Sequence, residues 1–268
     1  VRALLSPMVT VEEAHLAAKL TRGLKSQSID FRVGLSDPRF DQAVSGALAF
    51  GFPVAEFSVA QRVLLIGTQL RAEQPLIAQR IRQAVRQGAQ LASLSAMHDA
   101  LLMPVHASVA LPPSHWVSAL EELVAGLGGK EPEKPAKVAK APKAKAKDAA
   151  VEGLASSASA LQPLHGWLSA THFVRPEAEP MPFIVVLGEQ ALRHPRASRL
   201  IALAQQLASQ RGGKLAVLTP GANWVGASLA GALPQVEAGG KSAVSAFEDP
   251  ASAYLVCQLE PALDCFNA

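Results

Sequence analysis

The sequence predicts an α/β fold made of two doubly wound, parallel-sheet units joined by a flexible Lys/Ala/Pro linker, and three observations predict it. First, the order of parts repeats. Residues 62–96 and 183–221 each hold an apolar β-branched run ending in glycine (Gly67, Gly188), a polar turn with Gln, Leu, Arg and Pro, an amphipathic helix and a second apolar run. That order is a βαβ unit. Second, the runs Val63 to Ile66 and Ile184 to Leu187 are continuously apolar, as suits central strands with helices over both faces. Third, Lys130 to about Ala158 is Ala, Lys, Pro and Ser without apolar periodicity, too little hydrophobic surface to offset the entropy of ordering. The expected domains are 1–129, a first unit with an N-terminal helix; 130–158, the linker; and 159–268, a second unit cut short at its C-terminus.

Thr10 followed by Glu13 is a capping box, and Ala14, Ala17, Leu20 and Leu24 mark the apolar face of the helix it opens. Residues 29–60 are rich in Gly, Pro and Asp and read as irregular connection, with a short helix around Phe40 to Ala49. After the strand ending at Gly67, Pro75 opens a helix whose buried stripe is Ile77, Ile81, Ala84 and Val85. Arg80, Arg82 and Arg86 fall mostly outside that stripe and read as a solvated face, since the helix dipole favours anions at the other end. Gly88 closes the helix, and Leu91 to Leu94 and Val105 to Leu111 follow as strands. Ser114 caps a helix through Val124 that ends at Gly126, Gly128 and Gly129.

Beyond the linker, Leu161 to Phe173 suggests a short helix around Trp167. Pro195 opens the helix of the second unit, with Leu200, Ile201, Ala204, Leu207 and Ala208 buried and the Gly212–Gly213 pair ending it. Leu215 to Leu218 is the returning strand. Thr219 to Gly226 is a loop running into the small-residue helix WVGASLAGAL, and Tyr254 to Leu259 is one more strand. The opening at Val1 and the end at Ala268 read as cuts in a longer protein.

Nearly half of the 268 residues are apolar, enough for one large or two modest domains. The formal charge is +3, but Lys130 to Lys147 hold seven Lys and two Glu, a local +5 that leaves the remainder at −2. No basic face with interleaved aromatics supports a nucleic-acid partner, and no apolar run reaches transmembrane length. The opening residues do not read as a signal peptide. Cys257 and Cys265 are too few for a four-cysteine zinc or iron–sulfur site and read as a buried apolar side chain and an incidental thiol, as fits a reducing cytoplasm.

In doubly wound sheets ligands sit beyond the carboxyl ends of the strands, so the loops after Gly67 and Gly188 are the places to look. GTQLRA and GEQALR lack the further glycines of G-x-G-x-x-G, and no G-x-x-x-x-G-K-[ST] occurs. The seven histidines include no i, i+4 metal pair. His98 beside Asp99 lies at a sheet end without an evident nucleophile, no G-x-S-x-G elbow exists, and Asn223 reads first as a turn residue that bonds its own backbone. No catalytic and no metal-binding residue is expected.

Several segments together resemble one family, the large iron–sulfur subunit of bacterial NADH:quinone oxidoreductase, complex I. They are SPMVTVEEAHLAAKLTRGLKSQSIDFRV, VLLIGTQLRAEQPLIAQRIRQAVRQGAQL, VVLGEQALRHP, GANWVGASLAGALP and AYLVCQLEPALDC. The resemblance is to that subunit's molybdopterin-oxidoreductase-like region, with Rossmann-like units. It implies an internal fragment without the cysteine-rich domains, so that iron–sulfur clusters belong to a missing N-terminal part and no cofactor, molybdopterin included, is expected here. It also implies a vestigial pterin pocket, to which Gly67, Thr68, Gln69 and Pro75 correspond in the first loop and Gly188 and Asn223 in the second. The role implied is a scaffold in the peripheral arm of the respiratory complex, non-catalytic by itself. Its partners would be the other peripheral-arm subunits, without nucleic acid, at the cytoplasmic face of the inner membrane and attached only through the complex. The alternatives are a fragment of an active molybdopterin-dependent oxidoreductase and a small nucleotide-binding α/β module.

Overall fold

The computed structural model describes residues 1–44, 46–128, 157–170, 183–246 and 248–265. The linker expected over 130–158 lies outside them except at its last two positions, which begin a helix.

Among the described residues all strands pair in parallel, in two sheets. The larger holds β3 (Arg62–Ile66), β4 (Gln90–Ser95), β5 (Ala107–Ala110), β6 (Phe183–Leu187) and β7 (Lys214–Val217) in the order β5-β4-β3-β6-β7. The smaller holds β1 (Arg2–Leu5), β2 (Ile29–Asp30) and β8 (Tyr254–Cys257) in the order β2-β1-β8. The two βαβ units are therefore halves of one five-stranded sheet, and both expected domains contribute strands to each sheet. β3 and β6 are its central pair, in register from Arg62 opposite Phe183 to Ile66 opposite Leu187. From that pair the chain winds outward in both directions. Right-handed crossovers that advance in opposite directions place their helices on opposite faces.

The side chains follow that geometry. Val63, Leu65, Ile184 and Val186 pack with Ile77, Ile81 and Val85 of α4 (Pro75–Arg86) and with Phe57 of the 3-10 turn Val54–Ser58. Leu64, Ile66, Val185 and Leu187 pack with Trp116 and Leu120 of α5 (Trp116–Gly128) and Leu200, Leu203 and Leu207 of α8 (Ala197–Gln210). Burial on both faces is why the central strands are apolar at every position.

β1 and β2 have no counterpart in the sequence pattern, where the opening residues look like a loop leading into a helix; four and two residues are too short to show a period. α1 (Val11–Gly23) has the expected capping box, with the Thr10 Oγ1 accepting from the Glu13 N–H and the Thr10 N–H donating to Glu13 at 2.8 Å. Its buried stripe is turned from the expected one. Ala14, Ala17, Ala18 and Thr21 are buried, whereas Leu20 and Leu24 are 52% and 53% exposed. Small residues let α1 lie close on β1 and on α9 (Trp224–Leu229), where Trp224 meets Phe31 edge to face at 5.1 Å.

The remaining helices are short: α2 (Phe40–Ala43), less than the expected Phe40 to Ala49; α3 (Leu70–Glu73); α7 (Glu189–Leu192); and α10 (Pro261–Asp264). Pro195 lies in the turn before α8, not in its first turn. α6 (Ser157–Ser169) packs on α5 and presents its C-terminal carbonyls to two arginines. Arg62 donates to the Trp167 and Ala170 carbonyls and Arg211 to that of Leu168, and the Arg62 guanidinium lies 4.1 Å from the Trp167 ring centre. Cations there complement the helix dipole. Burial, then the neighbouring charge of Arg211, pushes the Arg62 pKa down to about 10.

Candidate functional site

The topological switch falls between β3 and β6, so Gly67 and Gly188 stand side by side at the carboxyl ends of the central strands. Here the crevice of a doubly wound sheet opens. The Gly188 N–H donates to the Ile66 carbonyl at 2.9 Å, and the Ala191 N–H to the Gly67 carbonyl at 3.3 Å, so the two loops are stitched to each other.

Both glycines serve that stitching. Gly67 has a φ of +57°, and a Cβ there would stand 2.7 Å from Cζ3 of Trp116. Gly188 has ordinary backbone angles, but a Cβ there would overlap Thr68 and lie 2.6 Å from the Gly67 carbonyl oxygen. In each case the missing side chain admits another part of the protein. Trp116 is fully buried and donates its Nε1–H to the Leu111 carbonyl at 2.9 Å.

Three donors that could face an anion are already engaged. Glu73, at the end of α3, accepts from the Thr68 hydroxyl at 2.8 Å, the Gln69 N–H at 2.8 Å and the Glu189 N–H at 3.2 Å. One carboxylate thus joins both loops across the switch point. Glu189 itself pairs with Arg193 at 2.5 Å. At α8 the pattern recurs: buried Asp37 accepts from the Ser198 N–H at 2.8 Å, the Ser198 hydroxyl at 2.6 Å and the Arg39 N–H at 2.9 Å. A carboxylate at a helix start is favoured by the same dipole that would favour phosphate.

His194 completes the lining. Its ring lies roughly parallel to Trp116, its Nδ1 accepts from the Arg196 N–H at 2.9 Å, and its Nε2 lies 3.1 Å from the Pro113 carbonyl. These partners place the proton on Nε2. Burial holds the imidazole below its ordinary pKa and so neutral.

The predicted site residues are thus divided. Gly67, Thr68, Gln69 and Gly188 come together at the switch point. Pro75 stands apart at the first turn of α4, lining a separate cleft. Asn223 belongs to neither: its amide donates to the Val9 carbonyl at 2.6 Å and its N–H to the Pro7 carbonyl at 3.1 Å, tying the loop after β7 to that after β1. Glu73, Asp37 and Trp116 do not stand out in the sequence. The signal available for Glu73 is its place as the one acid among the arginines of residues 71–86.

A pyrophosphate placed at the switch point would compete with Glu73 for these three donors and would meet its carboxylate. Elsewhere, His98 Nδ1 lies 2.9 Å from the Ser108 hydroxyl, a partner the sequence does not reveal, but both are exposed and Asp99 does not bond the ring. Among the described residues no group of three or more His, Cys, Asp or Glu could hold a metal ion, and no helix is long and apolar enough to cross a membrane. Burial raises the pKa of both the Cys257 and the Cys265 thiols.

The family model described as molybdopterin oxidoreductase matches residues 1–262. Among curated proteins none matches the chain. One solved structure to which the chain is similar is the formyltransferase/hydrolase complex from Methylorubrum extorquens in complex with methylofuran. The likeness is at 16% identity and a TM-score of 0.49, over 83% of this chain and 54% of that one. The chain therefore spans about half the length of that structure's chain.

Proposed function

The chain belongs to the molybdopterin oxidoreductase family, and from that premise we propose that it is a framework domain of an oxidoreductase-type subunit, retaining the family's sheet without using its crevice for a cofactor. The observation that carries this reading is the Glu73 carboxylate bonded to Thr68, Gln69 and Glu189 across the switch point. Around it, the side chains that could host chemistry are taken up in structure. His194 is neutral and bonded at both nitrogens, and Asp37 caps α8. What these residues do is lock two loops and three helices to the carboxyl end of one sheet, giving a body on which other domains or subunits can be mounted.

The ordered segment resemblance supports one assembly, the peripheral arm of a respiratory NADH:quinone oxidoreductase at the cytoplasmic face of the inner membrane. Its iron–sulfur clusters and its electron transfer would then lie outside residues 1–268. The test is molybdenum, tungsten and pterin analysis of the protein purified from its native source, with mass spectrometry of the subunits that accompany it. Molybdenum and pterin far below one per chain are expected, and stoichiometric molybdenum would overturn the framework role in favour of an active pterin enzyme. Companion subunits bearing flavin and iron–sulfur clusters are expected. Companions of another kind would replace the assembly and leave the framework role standing.

A further inference from the structure

The cleft lined by Pro75 lies beside α4, and neither Gly67 nor Gly188 lines it. One face of α4 (Pro75, Ala78, Gln79, Arg82) forms one wall, and the segment after β4, Leu101 to Met103, forms the other, enclosing about 240 Å³. Its lining combines apolar side chains, among them Pro75, Leu101 and Met103, with the two arginines Arg71 and Arg82. Arg71 reaches across from α3 and donates to the Ala100 carbonyl at 2.7 Å, which fixes its guanidinium at the mouth. Arg82 faces it without a bonding partner among the described residues.

Three properties set this surface apart. α4 carries Arg80, Arg82 and Arg86 and no acidic residue, and among the described residues none of these arginines, nor Arg71, forms an ion pair. Its positive charge is uncompensated by the fold. Large apolar side chains stand exposed at the same place, Leu102 at 63% and, next to Pro75, Leu76 at 80%. Arginine with exposed apolar side chains is the composition of protein interfaces, and single-sign charge at a rim selects a partner of the other sign. Leu102 also holds a left-handed backbone, φ +55°, a conformation rarely kept by a non-glycine residue.

We propose that this cleft is the docking site for an acidic segment of a partner chain, which lays an apolar side chain against Pro75, Leu101 and Met103 and offers carboxylates to Arg71 and Arg82. Arginine suits that task because its planar fork meets a carboxylate with two parallel hydrogen bonds. The cleft opens to solvent between α4 and the segment after β4, which fits an extended segment laid along it. The proposal rests on the framework reading and names the face through which the framework is held.

The experiment places the photo-crosslinking residue p-benzoylphenylalanine at Leu102 in the full-length subunit, in its native host, with the same residue at Leu16 on α1 as a second position. Expected is a cross-link from position 102 to a partner segment that carries at least two carboxylates beside an apolar residue. Arg82→Glu, which removes no bond within the fold, should lower its yield by at least about tenfold while the assembly's folding, followed by circular dichroism, stays unchanged. A cross-link to a segment without acids, or one indifferent to Arg82→Glu, overturns the proposal. So does a cross-link from Leu16 with none from Leu102, which leaves the framework role intact. A subunit that cross-links to nothing at either position and runs as a monomer removes the framework reading as well. Inorganic pyrophosphate is the remaining probe: micromolar binding to the purified chain that is lost in Arg82→Glu would assign the cleft to small anions and overturn the proposal.

Discussion

The two halves of the central sheet end in the same residue type for different physical reasons. Gly67 is needed for its left-handed backbone and for the room Trp116 takes, whereas Gly188 has an unstrained backbone and is needed only because Thr68 and the Gly67 carbonyl press against it. A glycine before a loop is commonly read as the mark of a ligand approaching the backbone. Here both mark the approach of one loop to the other. Alanine substitutions separate the two reasons, with Gly212→Ala as a reference, because Gly212 is left-handed at +61° with nothing near its missing Cβ. Gly188→Ala should be the most damaging of the three, about 3 kcal/mol or more, since Thr68 and the Gly67 carbonyl must move away from the new Cβ. Gly67→Ala should cost about 2–3 kcal/mol, from the dihedral and from displaced Trp116 together. Gly212→Ala should show the dihedral alone, about 1 kcal/mol. Urea unfolding of the three variants measures the order, and Gly212→Ala matching Gly67→Ala would mean that Trp116 yields freely and does not seal the crevice.

The next test works on the carboxylate that joins the halves. Glu73→Ala leaves a hydroxyl and two backbone N–H groups without their acceptor at a half-buried site, and the loss should be about 1–3 kcal/mol. The same change empties the nest, so sulfate or pyrophosphate should restore part of the lost stability to Glu73→Ala and none to the parent chain. Equal stabilisation of both proteins would show that Glu73 does not hold the place of an anion. Trp116→Ala gives the complementary loss, about 3–5 kcal/mol by cavity formation, without any new response to anions.

That contrast also explains what can be read in the chain. The central strands, α4 and α8 are legible because burial on both faces writes continuous apolar runs and a helical stripe into the sequence. That the two units share one sheet is not legible, since register between Ile66 and Leu187 is a contact across more than a hundred residues with no local trace. The site shows the same division. Gly67, Thr68 and Gly188 can be placed by their position after apolar runs, but the residues that decide what the crevice does, Glu73 and Trp116, do so through partners on other elements. The buried face of α1 misleads for a related reason: leucines attract the eye, but close helix packing is made by Ala14, Ala17 and Ala18. Pro75 is legible as a helix start, and only the fold shows that it faces the cleft with Arg71 and Arg82.

The smallest effect concerns His194, which belongs to the second half yet packs on Trp116 and Pro113 of the first. Its burial lowers the imidazole pKa in the folded protein, so the unfolded chain takes up the proton first as pH falls. Stability from this residue is therefore complete above the unfolded value of about 6.5 and declines as pH drops from there toward the lowered folded value. The slope attributable to one such histidine is below about 1.4 kcal/mol per pH unit. Urea unfolding of the parent chain and of His194→Gln, at pH 7.5 and again at pH 5.5, isolates it: the gap between the two proteins should narrow at the lower pH, because only the parent chain loses stability through this ring. A gap that widens would mean that the protonated ring is the favoured form in the fold. The imidazole would then be acting as a charged link to Asp37 and not as the neutral donor to Pro113 that its two hydrogen bonds describe.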